Sequence, residues 1–145
     1  MSLQANHDVA SSAPSLPRRL ASLLYDGILA LGVLAVGFVL PHVALGMGAG
    51  ITLPGEFLLA HVFVLLGVYF VWCWRHGQTL AMQTWKIRLT GKDANPPGTV
   101  RLAARYVLAW PSVCLVFGLL WALVDGDRQF LHDRLAGTRL TRRQA

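Results

Sequence analysis

The sequence predicts an all-α membrane protein with two transmembrane helices, a third apolar helical element broken at Pro111, and a small cytoplasmic pair of short strands. Composition is the first reason: of the 145 residues, 54% are hydrophobic and 14% are charged. The distribution of the apolar residues is the second reason: they are gathered into a few long runs, whereas in a soluble protein they are dispersed along the sequence. The Lys and Arg residues behind the net charge of +6 flank these runs. This pattern indicates a lipid bilayer with anionic headgroups as the partner, and not nucleic acid.

The chain begins with a polar segment and continues into the first apolar run. Residues 1–17 are small, polar and proline-bearing, so we expect a disordered tail before one membrane domain, residues 18–145. The run from Leu20 to Leu40 has 21 residues, which gives about 31 Å of helix and is enough to cross a hydrocarbon core. Because this run is longer than the apolar region of a signal peptide, we expect an uncleaved span.

The second apolar run, Phe57 to Trp74, is interrupted only by His61 and predicts the second span. The loop between the two runs contains no Lys or Arg, whereas basic residues precede the first run and follow the second. By the positive-inside rule, the amino terminus and residues 75–105 are expected in the cytoplasm, with the protein in the plasma (inner) membrane. The basic residues on that side are Arg18, Arg19, Arg75, Lys86, Arg88, Lys92, Arg101 and Arg105.

The third apolar run, Tyr106 to Val124, leaves two alternatives open. Five arginines follow it, and a full crossing would place them outside, against the rule that orients the first two spans. One alternative is a plain crossing with a basic external tail. The other is a hairpin or re-entrant helix, starting near Thr99, broken at Pro111 and returning through Val124, which leaves both ends inside.

Two short segments alternate between apolar and polar residues, as half-exposed strands do. They are Trp85 to Thr90, which precedes a Gly-Lys-Asp turn signal, and Thr138 to Arg142. Isolated strands of about five residues are marginal unless they pair. These two can pair only on one side of the membrane, which favours the hairpin.

Asp26 is the main candidate for a functional residue. A carboxylate at membrane depth is unfavourable unless it is paired, faces a polar interior or takes up a proton. Arg19 lies about two helical turns before it, on the same face. Because close partners along one helix are three or four residues apart, we expect Asp26 to pair with Arg101 or Arg105, if the third element packs against span one. The alternative is a structural ion pair that docks helices.

His61, His132 and Asp133 are further candidates. His61 is expected to hydrogen-bond a neighbouring helix, with a role in a proton relay as the alternative; His132 is a second relay candidate. Asp133 is expected to satisfy backbone donors at the turn before Gly137. No second His or Cys lies nearby in the sequence, so we expect neither a metal ion nor a cofactor. The sequence also lacks the usual nucleophile and phosphate-binding motifs, so an enzyme is not expected.

Three separated motifs resemble the RDD family of small bacterial membrane proteins, which is named after one arginine and two aspartates. The first is Arg19 to Asp26; the second is Gly-Gln-Thr-Leu at 77–80, leading into a short strand; the third is 127–138, which contains Leu-His-Asp and then Ala-Gly-Thr. The resemblance covers nearly all of the chain after residue 17, and the third motif is the most specific. The chain departs from the family pattern at Ala81, where glycine is usual.

The resemblance implies a helical membrane domain, here 18–145, whose name-giving residues are Arg19, Asp26 and Asp133. It also implies a link, seen in some relatives, to sodium or proton antiport. On these grounds we expect proton- or cation-linked transport, with Asp26 binding a proton or a small cation. The alternative is a non-transporting structural or assembly partner of another membrane protein. Because 145 residues hardly enclose a pathway, both alternatives imply a homo-oligomer or a larger membrane partner.

Overall fold

The computed structural model describes residues 14–91, 95–127 and 129–142. Most of the predicted tail lies outside these residues, and the last two residues of that prediction, Leu16 and Pro17, already belong to the first helix. In chain order the elements are α1 (Leu16–Leu34), a π-helical turn (Ala35–Val39), α2 (Leu40–Ala49), α3 (Gly55–Arg75), α4 (Leu80–Thr84), β1 (Ile87–Gly91), α5 (Thr99–Cys114), α6 (Phe117–Val124), α7 (Leu131–Leu135) and β2 (Thr138–Arg142).

The two predicted spans are confirmed as long apolar helical regions. Within the described residues, Leu16–Ala49 and Gly55–Thr84 are long and apolar enough to cross a membrane. The first begins with Pro17 in its opening turn, where the fixed φ of proline suits a helix start. It continues through the π-helical turn and ends at Gly50, which adopts φ 63°. Glycine tolerates this left-handed conformation, so it is the usual residue after a helix end.

The third apolar element bends later than the sequence indicated. Helix α5 continues through Pro111 to Cys114, and the bend of 94° between α5 and α6 falls at residues 115–116. A proline lacks only its own N–H, and the carbonyl of Pro111 still accepts a hydrogen bond from Leu115 N at 3.0 Å. The predicted break at Pro111 is therefore wrong in position; the helix ends where Val116 adopts a positive φ of 56°.

The two predicted strands pair with each other, in antiparallel register, with Leu89 opposite Leu140 and Gly91 opposite Thr138. This confirms the small two-stranded sheet. Strand β1 comes before the third apolar element in the chain, and β2 comes after it. Because the two strands pair, the chain segments on either side of this element lie on the same side of the molecule. The hairpin alternative requires this arrangement.

The buried core lies at the end of the molecule that carries the sheet. It contains residues from both strands and from helices α3, α4 and α5: Leu66, Trp74, Met82, Ile87, Leu89, Leu102, Tyr106 and Leu140. Further along the spans, large apolar side chains such as Val36, Leu40 and Leu59 are mostly exposed. An exposed apolar surface of this extent is typical of helices that face lipid.

Candidate functional site

Ten polar or charged residues among those that the structure describes are buried, and we call them the buried polar cluster. They come from five separate parts of the chain: Arg19, Ser22, Asp26, Thr79, Arg105, Ser112, Gln129, His132, Asp133 and Thr138. Burying this many polar groups costs free energy unless they are hydrogen-bonded or paired. The contacts between them are therefore the first guide to what the cluster does.

Helix α1 contributes Arg19, Ser22 and Asp26, which are spaced by three and four residues and so share one helix face. The Arg19 Nε donates to the carbonyl of Pro14 at 3.0 Å, just before the helix begins. The Asp26 Oδ2 accepts a hydrogen bond from the Thr79 hydroxyl at 3.0 Å. The carboxylate of span one is thereby joined to the segment that follows span two.

Thr79 holds this contact through its position at the start of α4. Its Oγ1 accepts a hydrogen bond from the backbone N–H of Met82 at 3.2 Å, which caps the helix. Because the oxygen is fixed as an acceptor for the cap, its proton is free to be donated to Asp26. Sequence reasoning missed this residue as a site component. The available signal was a threonine directly before a short helical segment.

Arg105 pairs with Asp133 and not with Asp26. The Arg105 Nε lies 2.5 Å from Asp133 Oδ1, with the side chains 5% and 0% exposed, and the guanidinium carbon lies 4.2 Å from the ring centroid of Trp74. Arg101, the other expected partner of Asp26, is exposed. Among the described residues, the predicted ion pair of Asp26 with Arg101 or Arg105 is therefore not formed, but the charge of Arg105 still acts on Asp26. Helix α7 packs beside α5 and presents Asp133 to Arg105, which the sequence pattern does not reveal.

His132 lies beside this ion pair. Its Nδ1 is 3.0 Å from the Ser112 hydroxyl, and its Nε2 is 3.7 Å from Asp133 Oδ1. Burial lowers the pKa of His132 to about 4; the negative charge of Asp133 opposes this shift, and the positive charge of Arg105 adds to it. His132 is therefore neutral near pH 7.

The carboxylate of Asp133 holds Arg105 and does not serve the turn that the sequence suggested. Asp125 takes such a role nearby: its Oδ2 accepts a hydrogen bond from the backbone N–H of Gln129 at 3.0 Å. The backbone carbonyl of Asp133 accepts from the Thr138 hydroxyl at 3.3 Å. Asp133 thus links α5, α7 and the start of β2.

His61 lies apart from the buried polar cluster. Its ring centroid is 5.1 Å from that of His42 and 5.5 Å from that of Phe38. Within the part of the chain that the structure describes, the ring contacts of His61 are with Phe38 and His42, and His132 contacts Ser112 and Asp133 instead. No described contact joins the two relay candidates, His61 and His132.

A cavity of about 310 Å³ is lined mainly by helices α1, α3 and α5. Its polar lining comes from the buried polar cluster and includes Arg19, Asp26 and Arg105. Most of its wall is apolar or aromatic, with Leu66, Phe70, Trp74, Tyr106, Trp110 and Val113 among the residues that line it. Polar groups at one part of an apolar cavity are typical of small-molecule sites.

Two polar atoms of the lining residues lack a hydrogen-bond partner. Within the part of the chain that the structure describes, Asp26 Oδ1 and Trp74 Nε1 are buried and have none. Such atoms are uncommon in folded proteins and call for a water, an ion or a ligand. Within the same residues, no group of three or more His, Cys, Asp or Glu is arranged to hold a metal ion.

Comparison with known proteins gives one result. The RDD family model matches residues 13–137 of the chain. No curated protein and no solved structure matches it. The matched region includes Arg19, Asp26 and Asp133, and the structure buries all three. The chain therefore belongs to the RDD family.

Proposed function

We propose that this RDD-family membrane protein is a transporter in which Asp26 binds a proton or a small cation. One observation carries the proposal. Asp26 is 6% exposed and lines the cavity, and its Oδ1 has no hydrogen-bond partner among the described residues. An ionisable side chain inside the membrane that still has an unpaired polar atom is typical of an ion or proton pathway.

The two buried carboxylates of the cluster differ in their partners. Asp133 is bonded to the guanidinium of Arg105, whereas the hydrogen-bond donor to Asp26 is the neutral hydroxyl of Thr79. A buried carboxylate is strongly favoured when a positive charge or a proton compensates it. Asp26 is therefore the carboxylate that an incoming proton or cation would neutralise, and Asp133 is the one that fixes the helices around it.

The proposed setting is the plasma (inner) membrane, with the amino terminus and the sheet in the cytoplasm. The argument for this orientation is the excess of Lys and Arg at that end of the molecule, which the positive-inside rule places in the cytoplasm. Two spans and one bent helical element are too few helices to surround a pathway across the membrane. We therefore include a homo-oligomer or a larger membrane partner in the proposal.

Exchange of Asp26 for Asn tests the proposal. Asn has the same shape and can still accept from Thr79, but it cannot carry the charge. Purified protein in vesicles with an internal pH dye is given a gradient of Na⁺, K⁺ or Li⁺. We expect a cation-dependent change of internal pH that Asp26→Asn reduces to the level of empty vesicles. Asp127→Asn is the matched control, because Asp127 is a surface carboxylate, 55% exposed.

Equal activity of Asp26→Asn and the wild type would refute a role of Asp26 in ion binding. The alternative, a structural or assembly partner, is favoured by the hydrogen bond that joins α1 to the segment after span two. If Asp26 only docks these segments, neither the wild type nor any variant will move protons. Asp26→Asn, which keeps the hydrogen bond from Thr79, will then leave the protein assembled, whereas Asp26→Leu, which loses it, will lower the amount of assembled protein in the membrane.

A further inference from the structure

The aromatic wall of the cavity favours a flat guest. The Phe70 and Tyr106 rings stack with centroids 6.4 Å apart, and Tyr106 meets Trp110 edge to face at 6.1 Å. Aromatic rings prefer further rings in offset or edge-to-face contact at such distances. At about 310 Å³ the cavity is at the small end of the range for ligand sites. A single substituted ring is of suitable size.

The two unpartnered atoms define what the polar group of the guest must do. Asp26 Oδ1 is an acceptor, and Trp74 Nε1 is a donor; both residues line the cavity and are 6% exposed. An ammonium group donates only, and a carboxylate or phosphate accepts only. A hydroxyl does both, so it can donate to Asp26 and accept from Trp74.

The charges of the lining exclude an anionic guest. Arg105 is already bonded to Asp133, so its positive charge is compensated. A carboxylate or phosphate beside Asp26 would add an unbalanced negative charge to the cavity, and such a charge is expensive to bury.

We infer that the cavity binds a neutral phenolic amphiphile, that is, a hydroxylated aromatic ring on an apolar body, with its hydroxyl between Asp26 and Trp74. This inference rests on the proposed function only in treating the bound molecule as a substrate. Binding itself needs no ion gradient. It is therefore measured on the purified full-length protein in detergent, separately from the vesicle assay.

Three probes with the same tail test the role of the hydroxyl: 4-octylphenol, its methyl ether and octylbenzene. The phenol donates and accepts, the ether only accepts, and octylbenzene does neither. We expect saturable binding of radiolabelled 4-octylphenol and at least about tenfold weaker binding of the other two, since a hydrogen bond to a charged group contributes roughly that factor. Equal affinity for all three would overturn the inference.

Two variants test the two partners of the hydroxyl. Asp26→Asn replaces an acceptor by an N–H donor, so the preference for the phenol over the ether should disappear. Trp74→Phe removes the donor, so the phenol and the ether should both bind more weakly, by about tenfold. Trp72→Phe is the matched control: Trp72 lies on the same helix, is 62% exposed and does not line the cavity.

The folding of each variant is checked by gel filtration before binding is measured, and Asp26→Asn serves if Trp74→Phe does not fold. Unchanged phenol selectivity in the folded Asp26→Asn variant would overturn the inference. Selective phenol binding without Asp26-dependent proton movement in vesicles would instead refute the proposed function and leave the ligand site in place. Proton movement without phenol binding would refute only the ligand.

Discussion

Breaking the ion pair between Arg105 and Asp133 is expected to destabilise the fold strongly, and Arg105→Gln tests this. The two side chains are 5% and 0% exposed and their atoms lie 2.5 Å apart. Removing one partner of a buried pair leaves an uncompensated charge and costs about 3 to 5 kcal/mol. The surface pair of Arg139 and Asp127, 39% and 55% exposed, is the control, and Arg139→Gln should cost less than about 1 kcal/mol.

The assay is unfolding in mixed micelles, followed by circular dichroism, for the single variants Arg105→Gln and Asp133→Asn and for their combination. The double variant removes both charges, so its loss of stability should be clearly smaller than the sum of the two single losses. The centres of charge of a guanidinium and a bonded carboxylate lie about 4 Å apart, and at an effective dielectric constant of about 20 they interact by about 4 kcal/mol, which sets the scale of the expected coupling. Additive losses, or an Arg105→Gln variant as stable as Arg139→Gln, would refute this reasoning.

Three further predictions concern other parts of the molecule. The lowered pKa of His132 (about 4) means that the folded state favours its neutral form. The free energy of unfolding is therefore unaffected by the protonation of His132 above the unfolded pKa of about 6.5, and it should fall by roughly 3 kcal/mol as the pH falls toward 4, because only the unfolded state takes up the proton. The difference in unfolding free energy between pH 7 and pH 4, compared for the wild type and His132→Gln, measures this loss. Gly67→Ala should destabilise by about 1 to 3 kcal/mol, because its Cβ would lie 3.0 Å from the Tyr106 ring, whereas Gly32→Ala, with nothing within 4 Å, should not; thermal unfolding separates the two. Thr79→Val should lose about 1 to 2 kcal/mol by removing a helix cap, whereas Thr79→Ser should retain it; equal unfolding midpoints would contradict the role of this hydroxyl.

Much of the architecture follows from patterns within short stretches of the sequence. The length and apolar character of the first two runs predicted the spans, and alternation at Trp85 to Thr90 and Thr138 to Arg142 predicted the strands that pair. Burial of Asp26 was also expected, since a carboxylate within an apolar helix avoids lipid. Each of these features depends on neighbours along the chain.

The partners within the buried polar cluster could not be predicted in this way. Arg105 meets Asp133 across 28 residues, and Asp26 meets Thr79 across 53. These pairs depend on which helix faces pack together, and no periodicity in one segment carries that information. The prediction of the bend position was wrong for a related reason. Proline weakens a helix locally, but the chain turns at Val116, after which α6 packs against α5.

The central claim is that the third apolar element turns the chain back, because the Arg105 to Asp133 pair and the sheet both require it. The most direct test is the sidedness of single cysteines at Arg88 in β1 and Arg142 in β2, both exposed, in a protein whose Cys73 and Cys114 are replaced by Ser. A membrane-impermeant maleimide is applied to intact cells and to inverted vesicles. We predict that both cysteines are labelled from the same face; labelling from opposite faces would contradict the fold, the cluster and the site built on it.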